Sequence, residues 1–240
     1  MSPAPFLSVI IPTFNERDSL TSLYPELCAA LTRYASELVV VDDGSPDGTA
    51  AYARTLSGAI GCTVLDRGRK LGLASAVENG FARSKGEVLV VMDADGSHPP
   101  AAIPALVEAV TSGGAEFALG SRWVPGGSAS GFSLGRRLMS GIATGLARPL
   151  VAVADPMSGF FAFRRRILDR APLSPLGYKI GLEIMVRCHP SPIAEVPISF
   201  RPRRAGESKL GRGEVGHYLR HVGRLYGFRL FGPSRASRTR

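Results

Sequence analysis

Cysteine, histidine and long apolar runs are all scarce in this chain, and each shortage closes off a class of protein. The 240 residues hold only Cys28, Cys62 and Cys188, an odd number, widely spaced and without a Cys-x-x-Cys pair. Neither a disulfide framework nor a zinc site is indicated, and the three read as small buried hydrophobes. No stretch reaches the roughly 18 to 20 apolar residues that a membrane-spanning helix needs, so the chain is not expected to cross a bilayer by itself. Met1-Ser-Pro-Ala-Pro has no basic region and runs straight into a strand, which reads as no secretory signal and as residence in the cytoplasm. No G-x-x-x-x-G-K-[ST] phosphate loop occurs. Histidine is sparse too: only His217 and His221 are close, and this i, i+4 pair lacks the intervening Glu of a metalloprotease helix, so both are expected on the surface.

Acidic residues are short at one end only. Residues 1–200 carry 18 Lys/Arg against 18 Asp/Glu, whereas residues 201–240 carry 11 against 2, so the formal net charge of +9 sits in the last 40 residues. Such a segment can meet phosphates of a substrate, an anionic membrane surface or nucleic acid. Between Glu214 and Phe231, Val215, Leu219, Val222, Tyr226 and Leu230 form one helical stripe with Arg220 and Arg224 elsewhere. That is the pattern of a basic amphipathic helix lying in a bilayer interface, with docking back on the domain as the competing fate. Tyr218, Tyr226 and Phe228 among the arginines could stack on bases, but nucleic-acid binding gives no purpose to the acids nearer the N-terminus.

What the chain does have is apolar strands that stop on carboxylates. Val88-Leu-Val-Val-Met-Asp93-Ala-Asp95-Gly-Ser-His98-Pro-Pro100 ends in two acids one residue apart. Leu38-Val-Val-Val41 closes on Asp42-Asp43-Gly-Ser-Pro-Asp47-Gly-Thr49, and Leu7-Ser-Val-Ile-Ile11 breaks at Pro12 into Thr13-Phe14-Asn15-Glu16. Acids at the carboxyl edge of a sheet sit where open α/β folds bind ligands. Hard divalent cations such as Mg2+ or Mn2+ bridge a few carboxylates to a substrate's phosphates. The residues thus describe a metal-held diphosphate site.

Short apolar runs alternate with helix-like stretches, which predicts an α/β domain with a mainly parallel sheet. Strands are expected near 7–11, 38–41, 62–65, 87–92 and 115–119, with helices near 17–34, 48–57, 72–84 and 100–112 and another from Gly135 to Leu150. The basic loop Asp66-Arg67-Gly-Arg69-Lys70-Leu-Gly72 reads equally as a phosphate cradle or a solvated connector. Gly-rich, Pro-punctuated stretches at Gly120–Gly127 and Asp155–Phe160 read as substrate loops.

Taken in order, the segments SVIIPTFNE (8–16), VVVDDGSPDGT (39–49), MDADGSHPP (92–100), GSRW (120–123), DPMSGFFAFRR (155–165), GYKIGLEI (177–184) and VPISFRPRRAGESKL (196–210) resemble a family 2 glycosyltransferase with the GT-A (Rossmann-like) fold. The likeness is specifically to the polyprenol (dolichol) monophosphate mannose synthase group. It implies a GT-A catalytic domain over 1–211 and a basic amphipathic extension over 212–240. It implies that Pro12, Phe14 and Glu16 wall the nucleotide, that Val41 and Asp43 contact its base or ribose, and that Met92, Asp93, Ala94 and Asp95 underlie the diphosphate. Asp95 with Ser97 would ligate the metal, Ser97 standing where many relatives carry Gln, and Asp93 would contact the sugar nucleotide. Arg122, Arg203 and Lys209 would bring cations to the diphosphate and acceptor phosphate, with Arg136 or Arg137 near another such position.

The implied reaction moves mannose from GDP-mannose to a polyprenyl phosphate by a single inverting displacement. A divalent ion with Arg or Lys stabilises charge on the departing diphosphate, and a phosphate acceptor, already an anion, needs cations for placement more than it needs a base. A UDP-sugar donor with a lipid-phosphate or saccharide acceptor is the alternative. A saccharide would call for a general base, for which Glu183 is the obvious acid. Relatives often carry or recruit membrane-spanning helices at the C-terminal end, so a membrane surface, and a membrane-protein partner, are expected.

Overall fold

The computed structural model describes residues 6–56, 58, 60–130, 134–174, 176–202 and 212–232. Among these, β1 (Leu7–Thr13), β2 (Ser36–Asp42) and β3 (Gly61–Asp66) alternate with α1 (Arg17–Ala30) and α2 (Thr49–Thr55). Then come α3 (Leu73–Arg83), β4 (Val88–Val91), α4 (Ile103–Thr111), β5 (Phe117–Ser121), β6 (Ser128–Ala129) and α5 (Leu134–Ala147). The chain continues through β7 (Phe161–Arg164), α6 (Ile180–Arg187), β8 (Ile193–Pro197), β9 (Ser199–Phe200) and α7 (Arg212–Phe231).

Seven strands form one sheet in the order β3-β2-β1-β4-β7-β5-β8, and β6 pairs with β9 in a separate ribbon. Every pairing in the large sheet is parallel except those of β7, which runs antiparallel between β4 and β5. The expected α/β class and mainly parallel sheet are therefore present. Because β2 and β3 build outward on one side of β1 and β4 on the other, strand order reverses between β1 and β4, and open α/β sheets bind their ligands at such a reversal.

Side chains alternate across the sheet with the two-residue period of a strand. Leu38, Val40, Val88 and Val90 face α1, α2 and α4, whereas Val39, Val41, Leu89 and Val91 face α3 and α6. Within α3, Ala74, Val77 and Phe81 supply the core stripe, a spacing that keeps one face of a helix apolar.

Several expectations change here, beginning with β1, which runs through Pro12 to Thr13 in register with Val41 and Asp42 instead of breaking at Pro12. The first helix ends at Ala30 rather than reaching 34, and Leu31 is buried from the following turn, so the apolar spacing outlasts the helix. The C-terminal stripe is divided: Tyr218, His221, Val222 and Leu225 are buried against the body, while Val215, Leu219 and Leu230 are exposed. Helix α7 thus docks on the domain, its Tyr218 and Tyr226 hydroxyls donating to the carbonyls of Ala143 (2.6 Å) and Leu146 (2.9 Å). Of the three aromatics that could stack on bases, Tyr218 is buried, Tyr226 is half-buried and the half-buried Phe228 ring carries the Arg187 guanidinium 4.6 Å from its centroid. His221 is not a surface residue: its Nδ1 meets the Leu176 carbonyl at 2.8 Å and burial lowers its pKa, while His217 is exposed as expected.

Candidate active site

The carboxyl ends of β1, β2 and β4 meet at the strand-order reversal. Thr13 and Asp42 end β1 and β2, and the Thr13 hydroxyl donates to Asp42 Oδ1 at 2.9 Å. Asp42 also accepts the Ser45 amide (2.8 Å) and hydroxyl (2.6 Å), so this buried acid closes a turn. The rest of that loop caps α1: Ser45 Oγ, Thr49 Oγ1 and Asp47 Oδ2 accept the amides of Asn15, Glu16 and Arg17 at 2.9, 3.0 and 3.2 Å. A helix's first amides have no partner within the helix, and Asp47 supplies one for Arg17 while Ser45 and Thr49 hold the two residues that lead into α1.

Asp43 is more heavily used. It accepts Arg67 Nε at 2.6 Å, a second Arg67 bond through NH2, and the amides of Leu71 (3.2 Å) and Gly72 (2.8 Å). Arg67 also reaches Ser75 Oγ (2.9 Å) and the Gly72 carbonyl (2.9 Å). A carboxylate has about four lone-pair sites, and all are taken, so Asp43 holds the 67–72 loop. That loop lies on Gly44, where a Cβ would come within 2.6 Å of the Arg69 amide and where φ is +70°. Lys70 Nζ stands 4.4 Å from the centroid of the Phe14 ring. Asp43 anchors the basic loop through Arg67, Leu71 and Gly72, while Arg69, Lys70 and Leu71 are exposed as in a solvated connector and Lys70 reaches the β1 end.

Asp93 and Asp95 leave β4 in a tight turn with Gly96 at φ +76°, a conformation that favours glycine. Asp95 is buried and its Oδ1 accepts the Ser97 amide at 3.0 Å. The Ser97 hydroxyl is fully buried and has no hydrogen-bond partner. Asp93 is about a third exposed, and its amide donates to Nδ1 of buried His98 at 3.0 Å. Burial lowers the His98 pKa, against an upward pull from Asp93 and Asp95 and with a further lowering by Arg122 and Lys179. Four charged side chains thus share the field of one ring. His98 stacks on Phe160, centroids 5.1 Å apart, and meets Phe200 edge-on at 5.6 Å. Sequence reasoning assigned His98 no role; its place three residues after Asp95 was the available signal.

Arg122 follows β5 at the same edge. Its Nε and NH2 form a fork onto Asp155 at 2.7 and 2.6 Å, and its amide adds a third bond to that carboxylate at 3.0 Å. The guanidinium carbon lies 5.4 Å from the Phe200 ring centroid. Lys179 Nζ donates to the Met157 carbonyl at 2.6 Å.

The remaining expected site residues divide. Pro12, Phe14 and Glu16 are half-buried at the β1 end, where they can wall a ligand. The side chains of Val41, Met92 and Ala94 are buried in the core, so only their backbone can face one. Arg203 and Lys209 lie outside the described residues, as does the Arg136 side chain, and Arg137 is exposed on α5. Glu183 does not reach the cleft as a base: it is 1% exposed on α6, paired with Arg187 at 3.0 Å and bonded by the Ser174 amide.

Among the described residues no group of three or more His, Cys, Asp or Glu is arranged to hold a metal ion. The orphaned Ser97 hydroxyl two residues after Asp95 is an oxygen that fits an ion sharing its shell with substrate phosphates, as Mg2+-type sites commonly do.

A mostly parallel sheet with one antiparallel strand beside β4, and an Asp-x-Asp turn at its strand-order reversal, is the arrangement of GT-A nucleotide-sugar transferases. Residues 8–171 match the family described as Glycosyl transferase family 2, and the chain belongs to that family of glycosyltransferases. Dolichol-phosphate mannosyltransferase of Pyrococcus furiosus is 44% identical over 223 residues, 91% of this chain but 63% of that protein, so the chain spans just under two thirds of that relative's length. Dolichol-phosphate mannosyltransferase of Saccharomyces cerevisiae is 36% identical, over 93% of this chain and 88% of its own. Glucosyl-3-phosphoglycerate synthase from Mycobacterium tuberculosis, solved with Mn2+, UDP-glucose and phosphoglyceric acid, superposes with a TM-score of 0.68 at 26% identity, covering 96% of this chain and 82% of that one.

Proposed function

We propose that the protein transfers mannose from GDP-mannose to a polyprenyl phosphate, with inversion, at the cytoplasmic face of a membrane and with Mg2+ or Mn2+. The observation that carries this reading is the agreement of relatives 36–44% identical over most of this chain, all named as mannosyltransferases to dolichol phosphate, with an Asp-x-Asp turn and an arginine at one sheet edge. Asp95 and Ser97 hold the ion, which when bound offsets negative charge on the departing diphosphate. Arg122, its charge shared with Asp155, adds an oriented guanidinium there beside the Phe200 ring. Asp93, the more exposed acid, meets the sugar nucleotide. Arg203 and Lys209 place the acceptor phosphate. No general base is required, which agrees with Glu183 being committed to Arg187.

The test is incubation with labelled GDP-mannose, polyprenyl phosphate and Mg2+ or Mn2+, followed by organic extraction of the label. The expected result is metal-dependent label in the organic phase. Transfer from UDP-glucose instead, the donor held by the structural relative, would overturn the donor assignment.

Attachment to the membrane rests on a surface. Helix α5 exposes Leu134, Leu138, Ile142 and Leu146, each four residues after the last, with Met139 beside them, and α7, bonded to it, exposes Val215, Leu219, Leu230 and Phe231. Among the described residues no helix is long and apolar enough to cross a membrane. An apolar stripe of this length with cations nearby suits the plane of the interface. Burying one such side chain contributes about 1.5–3 kcal/mol, so Leu138→Glu with Ile142→Glu should weaken co-sedimentation with anionic vesicles by about 100-fold or more. Retained binding would show that the stripe does not carry the membrane contact.

A further inference from the structure

We infer that Asp155 and Glu195 are positioning residues for the transfer, acting through Arg122. This rests on the reading of Arg122 as a cation for the departing diphosphate. Arg122 and Asp155 lie 33 residues apart in sequence and meet through three bonds, with Asp155 fully buried and Arg122 nearly so. A flexible arginine gains a fixed plane and a fixed azimuth only when two of its nitrogens and its own amide are tied to one rigid acceptor. The acceptor is itself held. The amides of Ala154 and Asp155 donate to the two oxygens of Glu195 at 2.7 and 3.1 Å, and Glu195 sits within β8, in register with Leu119 of β5. Two adjacent strands therefore carry the two ends of a relay that runs from Glu195 through the Asp155 backbone and carboxylate to the guanidinium.

The rest of the loop ties the relay to the acids of β4. The Ser158 amide returns to the Asp155 carbonyl at 3.1 Å, and the Met157 carbonyl takes Lys179 Nζ. A Cβ at Gly159 would lie 3.5 Å from His98 and 3.8 Å from the Asp93 carboxylate. Phe160 stacks on His98, and Phe200 touches both His98 and Arg122. The loop from 154 to 160 thus fixes Arg122 relative to Asp93, which is the distance that matters if one group faces the diphosphate and the other the sugar. Since the fork uses Nε and NH2, it is the NH1 side of the guanidinium that is directed by this clamp.

A displacement of about 1 Å in a positioned group can cost on the order of 100-fold in rate. The experiment compares Arg122→Lys, Asp155→Asn and the double variant by kcat, by donor KM and by thermal melting. Asp155→Asn is expected to lower kcat about 100-fold with donor KM within about threefold, because the amide cannot accept both arms of the fork. In the Arg122→Lys background, where no plane remains to orient, the same change should lower kcat by less than about threefold. Equal losses in both backgrounds, or a folded Asp155→Asn protein with wild-type kcat, would overturn the inference while leaving Arg122's role intact. Wild-type kcat in Arg122→Lys would remove that role and the inference with it. Should Asp155→Asn fail to melt cooperatively, Glu195→Gln repeats the comparison from outside the fork, with about a tenfold loss expected in the wild-type background and none in Arg122→Lys.

Discussion

Asp95→Ala is expected to lower mannosyl transfer by about 1,000-fold or more at saturating Mg2+ or Mn2+, the loss that accompanies removal of a major electrostatic contributor to a charged transition state. Asp95 has a second duty, since its Oδ1 closes the turn by accepting the Ser97 amide. Asp95→Asn separates the two: the amide oxygen can still take that bond, while the charge that attracts a divalent ion is gone. Its turnover should fall nearly as far with an unchanged melting temperature. Ser97→Ala gives the complementary result. Its hydroxyl is fully buried with no partner, and an unsatisfied buried polar group costs about 1–3 kcal/mol. Removing it should leave metal-free stability equal or higher while raising the Mn2+ concentration needed for half-maximal activity. An Asp95→Ala enzyme that keeps half its turnover would show that the ion is held elsewhere.

Why so much of this site could be read from one sequence is a matter of periodicity. Strands buried on both faces appear as largely apolar runs; β1 and β2 stop at Thr13 and Asp42, and the apolar run of β4 gives way to Asp93 two residues after its end, so the Asp-x-Asp turn announced itself. Elements with no such signature were missed. Strand β7 is four residues within Phe160–Arg165, and aromatic residues pack equally well in loops. Residues Ile180–Val186 of α6 are all buried, so the helix has no polar face to set a 3.6-residue rhythm. Strands β6 and β9 are two residues each and exist only as partners of one another. The relation of Arg122 to Asp155, like that of Asp43 to Arg67, depends on which loops the topology stacks together, and spacing along the chain carries no trace of it. Asp43, expected to contact the base or ribose, also bonds the loop after β3 through both oxygens.

That commitment leads to the second large effect. Asp43 and Arg67 are 6% and 4% exposed, and removing one partner of a buried pair leaves an uncompensated charge costing about 3–5 kcal/mol. Asp43→Ala should therefore destabilise the protein by that amount in urea denaturation. The same substitution strips the acceptor from the Leu71 and Gly72 amides, so the 67–72 loop is released and Lys70 no longer stands over Phe14. Donor KM should rise by about tenfold or more. The mechanism is separable from direct base recognition by Arg67→Met. If Asp43 acts by holding the loop, Arg67→Met, which cuts the same clamp from the other side, raises donor KM to a similar degree. If the carboxylate instead turns to the base when nucleotide arrives, Arg67→Met frees it to do so and donor KM falls or stays level, while Asp43→Asn alone weakens the donor. Stability resolves the remaining ambiguity: the double variant Asp43→Ala with Arg67→Met has no stranded charge and should recover much of the lost stability without recovering donor affinity, since the loop still lacks its anchor.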